Sequence, residues 1–194
     1  MQSTENCQPR LGIVVGGYKD SLRDLCFPLS GIDTFSILAL VSSCTSDIGR
    51  MGGPQTIDLH FSCMMKGYII HEIMHAMGFW HEHARPDRDD YVEVMWGNIL
   101  DGLEYNFEKK DPSEVIFPGA YDYGSIMHYK TNNFAKDRSQ PTLKPLQSTN
   151  AWIGQRIGLS PLDAWKINTV YKCSKPCGST RLTLTAESSP CIIF

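Results

Sequence analysis

An α+β fold is predicted by three features of the sequence: short strand-like runs in its first third, one strongly periodic helix in the middle, and a capped helix near the end. The run FSILALV (35–41) is apolar throughout, and QTIDLHF (55–61) alternates apolar with polar residues, which suits short strands. In GYIIHEIMHAMGF, residues Ile69, Ile70, Ile73, Met74 and Met77 recur at helical offsets and form one apolar stripe. In SPLDAWKINTVYKC, Ser160 is a fitting N-cap, Pro161 sits at the first helical position and Asp163 lies in the first turn.

Earlier in the chain, LGIVVGG (11–17) reads as a short buried strand ended by a glycine turn, and YKDSLRDL after it as a helix start. SCTSDIGRMGGP is a loop turned by Gly49, Gly52, Gly53 and Pro54. ARPDRDD (84–90) reads as a solvated turn, with local pairing of Arg85 to an aspartate as the alternative. Tyr105 to Lys110 is mildly helical, and Pro112 and Pro118 break the segment after it.

With 194 residues, 42% of them hydrophobic, the chain can bury one sizeable core. A net charge of −3 gives no field that gathers nucleic acid or anionic lipid, so no nucleic acid and no membrane is expected as a partner. No apolar run nears the roughly 18 residues that span a bilayer. Seven scattered cysteines point to disulfides and an oxidising compartment, whereas the polar opening MQSTENCQPR lacks the apolar core of a signal peptide. A secreted protein whose front end is incomplete reconciles the two.

The stretch HEIMHAMGFWHEH (71–83) holds four of the six histidines in the chain. His71 and His75, four residues apart on a helix, project from one face and can share one ion. Gly78 can enter the left-handed conformation, end the helix and turn the chain so that His81 returns as a third ligand. The pattern HExxHxxGxxH arises by chance on the order of once in ten million starting positions. His60 and His83 fall outside the spacing and read as surface or hydrogen-bonded residues. Three imidazoles and an open position describe a catalytic zinc, one per chain, because a structural site would carry a fourth protein ligand. Zinc would lower the pKa of its bound water toward about 7 and polarise a carbonyl, and Glu72 would take the water's proton and pass it to the leaving amine. The reaction class expected is peptide-bond hydrolysis.

The run HEIMHAMGFWHEHARPDRDDYV, followed by SIMHY, resembles the astacin family of metzincin endopeptidases, and within it the tolloid group. The resemblance runs from about Cys26 to Cys173 and implies a two-lobed zinc protease. Its N-terminal lobe would hold a twisted sheet and the active-site helix, and its C-terminal lobe a Met-turn and a C-terminal helix. It assigns Met127 to an apolar floor under the metal and Tyr129 to stabilising the oxyanion. It matches Glu82 with a residue linked, in mature enzymes, to a buried N-terminal amine. It also implies disulfides Cys26–Cys173 and Cys44–Cys63, and an edge strand at QTIDLH along which an extended protein or peptide substrate would add. Lys136 follows Tyr129 where tolloid-like enzymes carry a basic residue, so a preference for an acidic residue just after the cleaved bond is hypothesised.

The division expected is an atypical segment 1–25, an N-terminally incomplete protease domain 26–175, and a tail 176–194 weakly similar to the opening of a CUB domain. Two functions fit these features: a secreted zinc endopeptidase acting on extracellular proteins, or a truncated, catalytically inactive zinc-binding module of the same family. Intact Glu72 and Tyr129 favour the first.

Overall fold

The computed structural model describes residues 34–38, 43–113 and 115–171, with the first of these segments defined by its backbone. The expected strand at 11–17, the helix start after it, the Cys26–Cys173 bridge and the tail lie outside them.

Three strands form one sheet: β1 (Thr34–Leu38), β2 (Thr45–Ser46) and β3 (Pro54–Asp58), in the order β1-β3-β2. β1 and β3 run parallel, from Thr34 opposite Pro54 to Leu38 opposite Asp58, whereas β2 pairs antiparallel to β3 through Thr45–Asp58 and Ser46–Ile57. QTIDLH is therefore not the edge. β3 has a partner on each side, with Gln55 and Ile57 buried by the alternation its sequence shows, and the edge falls to β2, inside the segment expected to be a loop. The Cys44–Cys63 disulfide, Cα–Cα 6.4 Å, staples β2 to the approach of the main helix.

That helix, α1, spans Lys66–Ala76. Its apolar stripe joins Ile57, Leu59, Phe79, Ile126, Met127 and Ile167 in one core cluster. The face bearing His71, Glu72 and His75 is buried too, so α1 is a core helix rather than a surface one. Gly67 is needed at its start, because a Cβ there would lie 1.7 Å from the carbonyl oxygen of Arg156.

A second cluster, Val92, Ile99, Phe107, Tyr121, Tyr129 and Leu143, forms around the antiparallel pair β4 (Val92–Val94) and β5 (Leu143–Pro145). The first cluster joins the sheet and α1 to Ile126, Met127 and Ile167 of the later chain, so it lies across the join between the two halves of the fold, whereas the second belongs to the later half alone. ARPDRDD is not a solvated turn: Arg85 is 3% and Arg88 4% exposed. Arg85 makes a two-pronged pair with Asp87, both bonds 2.8 Å, and donates to the Gly119 carbonyl at 3.0 Å. Tyr105–Lys110 contributes one short 3-10 helix, Glu104–Phe107.

The last helix, α2 (Pro161–Val170), starts as its sequence predicts, with a reciprocal capping box between Ser160 and Asp163. Asp163 does more than cap. Buried, it accepts from Ser125 Oγ at 2.6 Å and Ile126 N at 2.8 Å, which ties the SIMHY segment to α2. Among the described residues no helix is long and apolar enough to cross a membrane.

Candidate metal centre and active-site cleft

The helical period brings His71 and His75 onto one face of α1, and the helix end brings back the third histidine. Phe79 N donates to Met74 O at 3.0 Å and Gly78 N to His75 O at 2.8 Å, with Gly78 at φ +90. These paired bonds are the Schellman ending, which requires a residue in the left-handed region. The chain then reverses, and one ring nitrogen from each of His71, His75 and His81 falls within 4.8 Å of the others.

The rings are oriented for a metal. His71 Nδ1 lies 2.8 Å from the Ile126 carbonyl and His75 Nδ1 2.8 Å from that of Phe79. A carbonyl only accepts, so both Nδ1 atoms carry the proton and both Nε2 atoms present lone pairs. His81 Nε2 lies 3.2 Å from His75 Nε2 and 3.3 Å from His71 Nε2. Nitrogens about 2.0–2.1 Å from a tetrahedral zinc stand about 3.3 Å apart, so the three converging acceptors fit that ion. Burial drives all three rings toward the neutral, metal-binding form, His75 to a pKa of about 4 and the other two well below the usual histidine range.

A cleft of about 470 Å³ opens over this cluster, lined by β2 residues Thr45 and Ser46 and by Tyr68, Glu72, Tyr129 and Arg156 among others. Glu72 is 5% exposed, and desolvation lifts its carboxyl to about 7 against the opposing pull of Arg156. Tyr129 packs its ring 4.5 Å from that of His81 and 4.0 Å from that of His83, and burial lifts its phenol to about 12. Met127 is 2% exposed in the core cluster with α1, and its carbonyl accepts from Glu82 N at 3.0 Å.

One expectation shifts. Lys136 is not among the residues that line the cleft: its Nζ pairs with Asp101 at 2.7 Å on the surface, and the cation that does line it is Arg156. Glu82 accepts from Lys166 Nζ at 2.6 Å, and its expected link to an N-terminal amine lies outside the described residues. Of the histidines outside the motif, His60 bonds Ser62 on the surface. His83 is fully buried and donates from Nε2 to the Asn106 carbonyl at 2.9 Å. His128 is equally buried, accepting from the Tyr121 hydroxyl and donating to the Tyr129 carbonyl, both at 2.7 Å. Arg156 and Lys166 carry no motif. The one signal for Lys166 is a lysine three residues after a capping aspartate, in register with the buried face of α2.

The family model of the astacin peptidases matches residues 32–172. The chain is 46% identical over 152 residues to zinc metalloproteinase nas-15 of Caenorhabditis elegans, covering 78% of this chain and 26% of that protein. It is 45% identical over 142 residues to bone morphogenetic protein 1 of Xenopus laevis, covering 71% of this chain and 20% of that one. The chain thus spans about a quarter or less of the length of these curated relatives. Among solved structures it is similar to high choriolytic enzyme 1, a hatching enzyme zinc-protease from Oryzias latipes. That match has a TM-score of 0.69 and 37% identity, over 79% of this chain and 78% of the other. The three-histidine cluster, the two-lobed α+β fold and the family match agree: this chain belongs to the astacin family of peptidases, with zinc as its metal.

Proposed function

We propose that the chain is a zinc-dependent metalloendopeptidase that hydrolyses peptide bonds of extracellular proteins. The observation behind this reading is the buried Glu72 carboxyl, which lines the cleft beside three metal-ready imidazoles. His71, His75 and His81 would hold zinc, which when bound would supply Lewis acidity to the scissile carbonyl and to water. Glu72, buried beside the ligands and lining the cleft, would accept the proton of the attacking water and deliver it to the departing amine nitrogen. The Tyr129 phenol, which lines the cleft beside His81, would donate a hydrogen bond to the oxygen that becomes anionic. An extended substrate lies along β2, whose outer edge has no strand partner among the described residues.

The preference for an acidic substrate residue passes from Lys136 to Arg156. Nη1 of Arg156 donates to the carbonyls of His128 and Gln155 at 3.1 and 2.9 Å, and Nε and Nη2 have no protein partner among the described residues. With acidic and neutral peptides of one sequence, Arg156→Gln is expected to bring the two kcat/KM values together, and Lys136→Gln to leave their ratio unchanged. An unchanged ratio in Arg156→Gln removes that assignment.

The test of the whole reading is zinc content and turnover of a quenched peptide, wild type against Glu72→Ala. Both proteins are expected to hold one zinc, with turnover falling by about 10²–10⁴-fold in the variant. Stoichiometric zinc with no cleavage by either protein would instead identify a zinc-binding module.

A further inference from the structure

Two of the three ligand histidines are oriented through their own rings, His71 by the Ile126 carbonyl and His75 by that of Phe79. The described residues supply no such partner to Nδ1 of His81, which sits on the loop beyond Gly78 and is the more exposed of the three. It is fixed instead by the residue after it. Glu82 N donates to the Met127 carbonyl at 3.0 Å. The Glu82 carboxylate accepts from Asp122 N at 2.9 Å and from Lys166 Nζ at 2.6 Å, and Arg85 Nη1 stands 3.6 Å away. Both side chains of the Glu82–Lys166 pair are 4% exposed.

An ion pair this deep forgoes the hydration of both charges, so removing one partner leaves the other stranded, and its net contribution to stability is small at best. Such a pair is better understood by the groups it holds in place. Residues behind metal ligands fix ligand orientation, and losing one typically costs about 10–100-fold in metal affinity.

We infer that Lys166 is a positioning residue for the metal centre: its ammonium on α2 holds Glu82 and through it sets His81. The inference rests on the zinc site proposed above and deepens it, since Lys166, 84 residues from Glu82 in sequence, makes α2 part of the ligand scaffold. A counter-charge for Glu82 is thus a side chain of the same domain. Lys166 touches no substrate and acts only through Glu82.

The test measures zinc affinity of the full chain by competition with a chromophoric chelator, alongside the Tm of the zinc-free protein. The variants are Lys166→Arg, Lys166→Met and the double variant Glu82→Gln with Lys166→Met, which removes both charges and so strands neither. Lys166→Arg, which keeps the positive charge, is expected to bind zinc more tightly than Lys166→Met. The double variant is expected to bind zinc about 10–100-fold more weakly while its zinc-free Tm stays within a few degrees of wild type. Wild-type zinc affinity in the double variant overturns the inference, as does a loss that follows the unfolded fraction and is not rescued by arginine. The readout is independent of turnover. A wild type that binds zinc without cleaving peptide defeats the endopeptidase reading alone, whereas a cleaving wild type with an unaffected double variant defeats only this one.

Discussion

The metal centre is built from two halves that work differently. His71 and His75 ride on α1, where helical periodicity sets their spacing and two backbone carbonyls set their rings. His81 rides on a loop, placed by a glycine turn, by its neighbour's bond to Met127 and by a buried ion pair reaching α2. A local pattern of thirteen residues therefore specifies the ligands and, through the Gly78 turn and the Phe79 carbonyl, part of their geometry, while Asp122, Ile126, Met127 and Lys166 complete it.

Removing a ligand from the helical half should have the largest effect. His75→Ala is expected to weaken zinc by more than about 100-fold, since losing a ligand exceeds the 10–100-fold typical of losing only its supporting partner. Circular dichroism should still show α1, because nine of its eleven residues are buried by packing that the substitution leaves in place. Loss of the helix would show that the two halves are not separable.

Gly78→Ala tests the joint between them. At φ +90 an alanine is strained by about 1–2 kcal/mol, which in a chain of this size lowers Tm by roughly 2–8 °C. Zinc affinity should fall with it, measured by chelator competition, because the turn that returns His81 must relax. Unchanged stability would mean that the turn is not confined to the left-handed region.

Acid acts on both halves through buried histidines, and His83 and His128 are the two that lie outside the ligand set. Burial pushes His128 down to about 4 and His83 to about 3 from an ordinary 6.5. Between pH 6.5 and 4 the unfolded chain therefore takes up protons at these two positions that the folded one refuses, so their contribution to stability is complete above about 6.5 and declines as pH falls, whereas Glu72, lifted to about 7, acts in the opposite sense. For the two histidines alone the linkage amounts to a Tm drop of roughly 10 °C by pH 5. His128→Gln should shallow that drop, and an unaltered slope would assign the acid sensitivity elsewhere.

The same division separates the legible from the hidden in the sequence. The ligands, Glu72, the capped α2 and the α+β class all rest on periodicity or fixed spacing, which one chain displays. β2 is hidden because two residues cannot show alternation, and its strand character comes entirely from β3 and the Cys44–Cys63 bridge. Arg85 and Arg88 read as solvated charge because sequence does not reveal that carbonyls of Gly119 and Phe107 close over them. Lys136 is suggested by the resemblance to tolloid-like enzymes, yet its side chain pairs with Asp101 on the surface, and the cleft's cation arrives from a segment 20 residues further on.

The decisive measurement is turnover against equivalents of added zinc, starting from chelator-stripped protein. Cleavage of the quenched peptide should rise linearly and level off at one zinc per chain. Cleavage by the stripped protein, or one zinc bound with no cleavage, would contradict a zinc endopeptidase built on His71, His75, His81 and Glu72.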